Sequence, residues 1–143
     1  MNSRNHTWIR SGVELVDEQH KEYFRRLDIL LGMMEKSELN DYELRRSFDF
    51  FRSYAVVHFD TEELLMKISS YPETEGHMRT HEFFSETIER MAEELSVSRD
   101  ISLVAEELKV FLTGWLEDHI ETFDLKLTKF LKERVLANEL KDS

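Results

Sequence analysis

Apolar residues recur every three or four positions along four stretches of this 143-residue chain, and histidines and carboxylates interrupt the same stripes. This spacing places side chains on one face of an amphipathic helix, so it predicts four long helices. That face becomes buried when helices pack, and burial of a titratable group is costly unless the group is paired or bound to a metal ion. The pattern therefore demands a helical fold that gives its buried histidines and carboxylates a partner.

The breaks between the stripes set the expected helix boundaries. The first helix is predicted over about residues 17–34, and a polar break at residues 37–40 separates it from the second. A third helix is expected after residues 71–76, since proline and glycine interrupt helices, and a fourth after residues 96–100. The amphipathic, charged stretch 127–140 is predicted either to continue the fourth helix or to form a short fifth one.

Helices of this length joined by short loops favour antiparallel neighbours. We therefore predict an all-α fold: an up-down-up-down antiparallel four-helix bundle with an N-terminal arm and a short C-terminal helical extension. The length supports one domain, with the arm at about residues 1–12, the bundle at about 13–131 and the extension at about 132–143. Asn40 and Asp100 are expected to cap the second and fourth helices.

Composition excludes several classes of function. The net charge of −11 repels phosphate backbones and anionic lipids, so no nucleic-acid partner and no membrane insertion are expected. The chain has no cysteine, which excludes disulfides, thiolate metal sites and cysteine catalysis. Residues 1–10 lack the apolar run of a secretory signal, and no stretch approaches the roughly 20 apolar residues of a membrane span. A cytoplasmic location is the resulting expectation.

Five of the six histidines fall within the predicted apolar seams together with two carboxylates. Residues four apart on a helix lie about 40° apart around the axis and roughly 6 Å apart along it, so both can reach one ion. The candidate metal ligands are His20, His58, Glu62, His77, His81, His119 and Asp124. Imidazoles and carboxylates in a bundle interior are typical of a transition-metal site with nitrogen and oxygen ligands.

His119 and Asp124 do not fit a regular helix. Five residues correspond to about 140° on an ideal α-helix, so the two side chains would leave on different faces. For both to point inward, the helix must end, widen or bend between them. A local distortion between these two residues is therefore predicted.

Counting ligands indicates a site with one vacancy. Five imidazoles, two bridging carboxylates and a bridging hydroxide or oxide fill about eleven of the twelve positions of two octahedral ions. The remaining position could take a small exogenous molecule. Compared with carboxylate-rich di-iron bundles, this nitrogen-rich set is expected to favour the reduced metal and reversible oxygen binding.

Other residues near the candidate ligands have different expected roles. Aromatic and aliphatic side chains first of all form the core, but four are also expected to line a dry ligand pocket: Phe24, Phe59, Trp115 and Leu116. Glu63 is expected to point away from the seam as a solvated charge. His6, in the N-terminal arm, is expected to be an exposed bystander.

Several motifs together resemble the hemerythrin family, and specifically the single-domain bacterial hemerythrins (bacteriohemerythrins). The order and spacing of all seven candidate ligands match that family, and the resemblance spans about residues 12–131. The matching segments are residues 16–21 (VDEQHK), 58–66 (HFDTEELLM), 71–72 (YP), His77-x-x-x-His81, residues 115–120 (WLEDHI) and Asp124.

The resemblance implies a non-haem di-iron centre with a bridging oxo or hydroxo group that binds dioxygen reversibly. By analogy, three histidines would hold a saturated iron, and two would hold the iron with the open position. The first set is His77, His81 and His119; the second is His20 and His58. Glu62 and Asp124 would bridge the two ions.

The resemblance leaves alternatives open. Oxygen storage, delivery or supply without turnover is the leading interpretation; an oxygen, redox or nitric oxide sensor and a di-iron oxidase or peroxidase would use the same centre. Zinc could also satisfy these ligands. Departures from the common family pattern are Tyr23, Asp28 and Leu127, none of them a candidate ligand. No protein partner can be named.

Overall fold

A computed structural model describes residues 13–98 and 100–142 of the chain. These residues form five α-helices and one π-helical turn. The elements are α1 (Glu14–Glu35), α2 (Asp41–Ser69), α3 (Thr74–Ser98), α4 (Ile101–His119), the π turn (Ile120–Asp124) and α5 (Leu125–Asp142). The N-terminal arm, including His6, lies outside the described residues.

The first four helices form a four-helix bundle, which confirms the predicted fold class. Helix α1 packs against α2 and α4, and α3 packs against the same two helices. The described connections span residues 36–40 and 70–73, which are short enough to reverse the chain between neighbouring helices. Each helix thus turns its apolar stripe toward a common interior.

The helix ends follow local side-chain chemistry. The side chains of Asn40 and Asp100 accept hydrogen bonds from the backbone N–H groups of Glu43 and Leu103, as expected of N-caps. Helix α2 ends at Ser69, and the next residue, Ser70, has a left-handed φ of 55° that stops the helical path. The helices are nevertheless longer than predicted: α1 begins at Glu14, and α3 begins two residues before Gly76.

The predicted stretch 127–140 belongs to a longer helix. Helix α5 starts at Leu125 and continues to Asp142. It is joined to α4 through the π turn, with right-handed helical dihedral angles at His119, Ile120 and Leu125. This confirms the first of the two expectations, a continuation of the fourth helix. The continuity matters because it carries the chain past Asp124 without a loop.

One large hydrophobic cluster fills the bundle, and a smaller one lies beside the π turn. The smaller cluster contains Met66, Tyr71 and Leu127, with Met78 and Phe130 packed against it. Leu27, Phe51, Phe84 and Leu112 are among the almost completely buried members of the large cluster. None of the described helices is both long and apolar enough to cross a membrane.

Candidate metal centre

The structure brings all seven candidate ligands together in the bundle interior. Helix α1 contributes one residue, α2 and α3 contribute two each, and the end of α4 and the π turn contribute one each. Every one of these side chains is buried, with a relative exposure of 2% or less. They form two metal-sized groups: His77, His81 and His119 with Glu62, and His20 and His58 with Asp124.

All five imidazoles aim their Nε2 atoms at the two carboxylates. In the larger group, Oε1 of Glu62 lies 3.1 Å from Nε2 of His81 and 3.6 Å from Nε2 of His77. The same oxygen lies 3.2 Å from Nε2 of His58 across the site. Nε2 of His77 and Nε2 of His119 approach within 3.2 Å of each other. This convergence leaves Nδ1 of each ring facing outward.

Asp124 sits between the two groups of histidines. Its Oδ2 atom lies 2.8 Å from Nε2 of His20 and 3.8 Å from Nε2 of His58. Its Oδ1 atom lies 2.9 Å from Nε2 of His119 and 3.1 Å from Nε2 of His77. Each oxygen therefore faces one group, which is the arrangement that a carboxylate bridging two ions requires.

The π turn explains how His119 and Asp124 share one face. The backbone N–H of Leu125 bonds to the carbonyl of Ile120, five residues earlier, so the helix widens by one residue at this point. The extra residue offsets the angle that would otherwise separate the two side chains. The predicted distortion between His119 and Asp124 is confirmed.

The carboxylates set the protonation of the metal-free cluster. Burial raises the pKa of Asp124, but the neighbouring histidines, led by His119, outweigh it and hold that pKa well below its usual value. Burial likewise opposes charge on His58, yet Glu62 and Asp124 raise its pKa to about 10. The same balance raises the pKa of His77 to about 9, whereas burial prevails at His81 and lowers its pKa.

His58 is held from outside by two residues that also contact each other, Gln19 and Tyr54. Its Nδ1 lies 2.6 Å from the side-chain oxygen of Gln19, so the ring nitrogen donates and the amide accepts. The ring of Tyr54 stacks on it at 5.3 Å, and the Tyr54 hydroxyl donates to the backbone carbonyl of Gln19. A hydrogen on Nδ1 leaves the lone pair of Nε2 free to bind a metal ion.

Glu63 corrects one expectation. Its Oε2 atom lies 3.1 Å from Nδ1 of His81, and its side chain is only 31% exposed. It is therefore a partner of a candidate ligand and not simply a solvated charge. Residue 63 reaches this position because α2 packs against α3, which places the flank of α2 over His81.

His119 has a hydroxyl partner. The hydroxyl of Thr80 lies 2.6 Å from the carbonyl oxygen of His77 and donates its hydrogen to it. The same oxygen lies 3.0 Å from Nδ1 of His119, so it accepts the hydrogen of that nitrogen. This again leaves Nε2 of His119 free on the inner side.

Aromatic rings cover the outer faces of the three-histidine group. Phe59 stacks on His81 with centroids 3.9 Å apart, and Trp115 stacks on His119 at 4.3 Å. Phe24 and Leu116 are buried members of the large hydrophobic cluster. All four side chains lie in the surroundings expected of a dry pocket, and their role toward a small ligand stays a prediction.

Orphaned polar atoms inside the cluster indicate what the site holds. Among the described residues, three inward-facing atoms are buried without a hydrogen bond of acceptable geometry: Nε2 of His58, Oε2 of Glu62 and Oδ1 of Asp124. Burying such atoms unsatisfied costs about 1–3 kcal/mol each, and more for a charged group. A nitrogen and oxygen donor set with free inward lone pairs fits two transition-metal ions.

The sequence did not predict three of the residues that contact the candidate ligands: Gln19, Tyr54 and Thr80. Helical periodicity identifies the buried face of one helix, but these residues act from the flank through a neighbouring helix. Only their closeness to a ligand in the sequence could have suggested them. Gln19 directly precedes His20, Thr80 directly precedes His81, and Tyr54 lies one turn before His58. Which flank faces which ring depends on the packing of helices, which periodicity does not give.

Comparison with known proteins agrees with this geometry. The family model described as "Hemerythrin HHE cation binding domain" matches residues 11–131. A bacteriohemerythrin of Stenotrophomonas maltophilia is 28% identical over 119 residues, covering 81% of this chain and 72% of the relative. One of Pseudomonas paraeruginosa is 26% identical, with the same two coverages. A myohemerythrin of Theromyzon tessulatum is 29% identical, covering 79% of this chain and 80% of the relative.

Proposed function

The chain belongs to the hemerythrin family, and from that premise we propose that it binds dioxygen reversibly at a non-haem di-iron centre, for oxygen storage, delivery or supply. The observation that carries the proposal is the convergence of five Nε2 atoms and two carboxylates in one buried cluster. The surrounding field also suits cations, because Glu62 and Asp124 both keep a lowered pKa despite complete burial.

The two groups of side chains define the proposed ligand sets. His77, His81 and His119 would hold one iron ion, and His20 and His58 would hold the other. Two carboxylates, Glu62 and Asp124, would bridge the pair together with an oxo or hydroxo group. The second ion would have one protein ligand fewer, so the open position for dioxygen would lie on the His20 and His58 side.

A pair of bound iron ions supplies the two electrons that dioxygen accepts on binding and returns on release. The protein keeps this exchange reversible by excluding water and by withholding protons. Phe59 and Trp115 cover imidazole faces, and all seven ligands are shielded from solvent. Water, the general source of protons, is therefore kept away from the site.

Tyr54, which stacks on His58, and Tyr23, which packs against Tyr54, favour a carrier over an enzyme. The hydroxyl of Tyr23 donates to the carbonyl of Leu112, and that of Tyr54 donates to the carbonyl of Gln19. Burial raises the pKa of both phenols well above the usual value. Since each hydroxyl hydrogen is already engaged with backbone and weakly acidic, neither tyrosine is set up as a proton donor for oxidase or peroxidase chemistry.

Oxygen consumption separates the carrier from an oxidase. The iron-loaded, reduced protein is mixed with oxygenated buffer in an oxygen electrode, in the presence of excess reductant. A carrier takes up a fixed amount, about one dioxygen per pair of iron ions, and then stops. Continued consumption at a rate proportional to protein concentration would contradict the proposal and indicate an oxidase.

A further inference from the structure

The outer nitrogens of three histidines meet unlike partners, whereas Nδ1 of His20 and Nδ1 of His77 are buried without a hydrogen bond. Nδ1 of His81 faces the carboxylate of Glu63 at 3.1 Å, whereas Nδ1 of His58 faces the neutral amide of Gln19 at 2.6 Å. His119 faces the hydroxyl of Thr80. The two metal positions thus have different outer partners: a full negative charge stands behind the three-histidine position and a neutral dipole behind the two-histidine position.

The Gln19 amide is fixed in its orientation. Its Nε2 lies 3.2 Å from the hydroxyl oxygen of Thr61, and that hydroxyl donates to the carbonyl of Val57 at 2.8 Å. Thr61 has therefore used its hydrogen, so it accepts from the amide and leaves the amide oxygen for His58. The contact from Tyr54 to the backbone of Gln19 holds the same residue from its main chain.

The Glu63 carboxylate is a different kind of acceptor. An imidazole that donates Nδ1–H to a carboxylate becomes more basic at Nε2 and binds a metal ion more tightly. An amide oxygen carries only a partial charge and has a weaker effect of the same sign. His81 should therefore bind a metal ion more tightly than His58, although each donates one hydrogen bond from Nδ1.

We propose that Gln19 and Glu63 are positioning residues that make the two metal positions unequal, with Glu63 strengthening the three-histidine position through His81 and Gln19 leaving the two-histidine position the weaker donor set. The weaker set holds its ion in the reduced state more readily and keeps its free position available. This inference rests on the proposed di-metal function.

The test is a zinc titration of the metal-free full-length protein, followed by NMR of the imidazole nitrogens. Zinc is redox-inactive, so the readout is binding and not oxygen chemistry. The spectra report which histidines are bound at each step and which nitrogen carries the hydrogen. In the wild-type protein, we expect His77, His81 and His119 to respond before His20 and His58.

Two near-isosteric variants change the charge of the side chain that accepts the Nδ1 hydrogen bond and keep its acceptor oxygen. Glu63→Gln should lower zinc affinity at the three-histidine position by about tenfold or more. Gln19→Glu should raise affinity at the two-histidine position. The double variant with both changes keeps the net charge of the wild type. It should reduce the difference between the two zinc affinities or reverse the order in which the positions fill.

Two exposed residues provide charge-matched controls. Asp60→Asn removes one negative charge from the exposed side of α2, as Glu63→Gln does near His81. Lys21→Gln lowers the net charge by one, as Gln19→Glu does, at a side chain that is 45% exposed. Both controls should leave the two zinc affinities close to the wild-type values.

The outcomes distinguish this inference from the proposed function. If the wild-type protein binds zinc at both positions but Glu63→Gln and Gln19→Glu leave the affinities unchanged, the inference is wrong and the function stands. The inference is also wrong if the controls shift the affinities equally, since bulk charge would then explain the effect. If the wild type fails to bind two ions at these seven residues, the proposed function fails as well.

Discussion

Each buried histidine turns one nitrogen inward to the carboxylates, and three of the five have a defined partner on the other nitrogen. This division sets the orientation of the His58, His81 and His119 rings before any metal arrives, with Nε2 directed inward. The rings do not need to reorient on binding, so less conformational entropy is lost. Preorganisation at the residue scale comes from the flanks of neighbouring helices.

Replacing His77 by alanine should remove one ligand from the three-histidine position. We expect the metal content of the iron-loaded protein to fall below two ions, because the three-histidine position loses one of the imidazoles around which its geometry is built. Elemental analysis after removal of free iron measures this. Arg79→Ala, at an exposed residue of the same helix, should keep both ions; two ions in the His77 variant would contradict the ligand assignment.

Metal loading at pH 7 should release protons. The pKa of His58 is about 10 and that of His77 about 9 in the metal-free protein, so both are charged at pH 7 and must lose a proton to bind. Calorimetry of zinc binding in buffers of different ionisation enthalpy measures the release. Binding without proton release at pH 7 would mean that these imidazoles are already neutral.

The same raised pKa values fix the pH dependence of the metal-free fold. A histidine with a raised pKa stabilises the folded state fully below its unfolded value, near 6.5, and this contribution disappears as the pH rises through the folded value. The metal-free protein should therefore lose stability between about pH 6.5 and 10. Urea unfolding across this range measures the trend, and a rise in stability over the interval would contradict the assigned charges.

At the scale of elements, the π turn is the local feature that lets two residues five positions apart, His119 and Asp124, face the same site. It inserts one residue between His119 and Asp124 while the helix continues from α4 into α5. The sequence predicted a distortion here because five residues cannot bring two side chains to one face of an α-helix. The type of distortion was not predictable from that argument, since an end, a bend or a wider turn would each satisfy it.

Deleting Glu121, an exposed residue of the π turn, should convert the turn to regular α-helix. The aspartate would then lie four residues after His119, about 40° away, and would still face the site. We expect metal binding to persist. Deleting exposed Glu106 from regular helix α4 should instead rotate His119 away from the seam and abolish binding by the three-histidine position. The elemental analysis used for the His77 variant compares the two deletions, with circular dichroism to confirm folding.

The contrast between Asn40 and Glu63 shows where sequence reasoning stops. Asn40 caps α2 through an atom three residues away, so the local sequence was sufficient to predict the contact. Glu63 on α2 contacts His81 on the neighbouring helix α3. The helical wheel of α2 shows only that Glu63 lies beside the buried face of its own helix. Contacts within one turn and the inward ligands were predictable, whereas partners supplied by a neighbouring helix required the structure.

At the scale of the whole molecule, the bundle buries a polar centre that it cannot satisfy alone. Metal binding should therefore contribute to folding stability, because Oε2 of Glu62 and Oδ1 of Asp124 lack a hydrogen bond of acceptable geometry and gain a ligand bond when an ion is present. At free zinc about 100-fold above its Kd, linkage gives about 2.7 kcal/mol for each ion bound, or a rise in Tm of roughly 10 °C per ion. Equal melting of the metal-free and loaded forms would show that the centre does not depend on metal.

The central claim is reversible oxygen binding, and visible absorption tests it most directly. The anaerobically reduced, iron-loaded protein is measured before oxygen, after oxygen and after purging with inert gas. The account predicts a charge-transfer band that appears with oxygen and disappears on purging, over repeated cycles. Rapid, irreversible conversion to an oxidised spectrum without that band would contradict it.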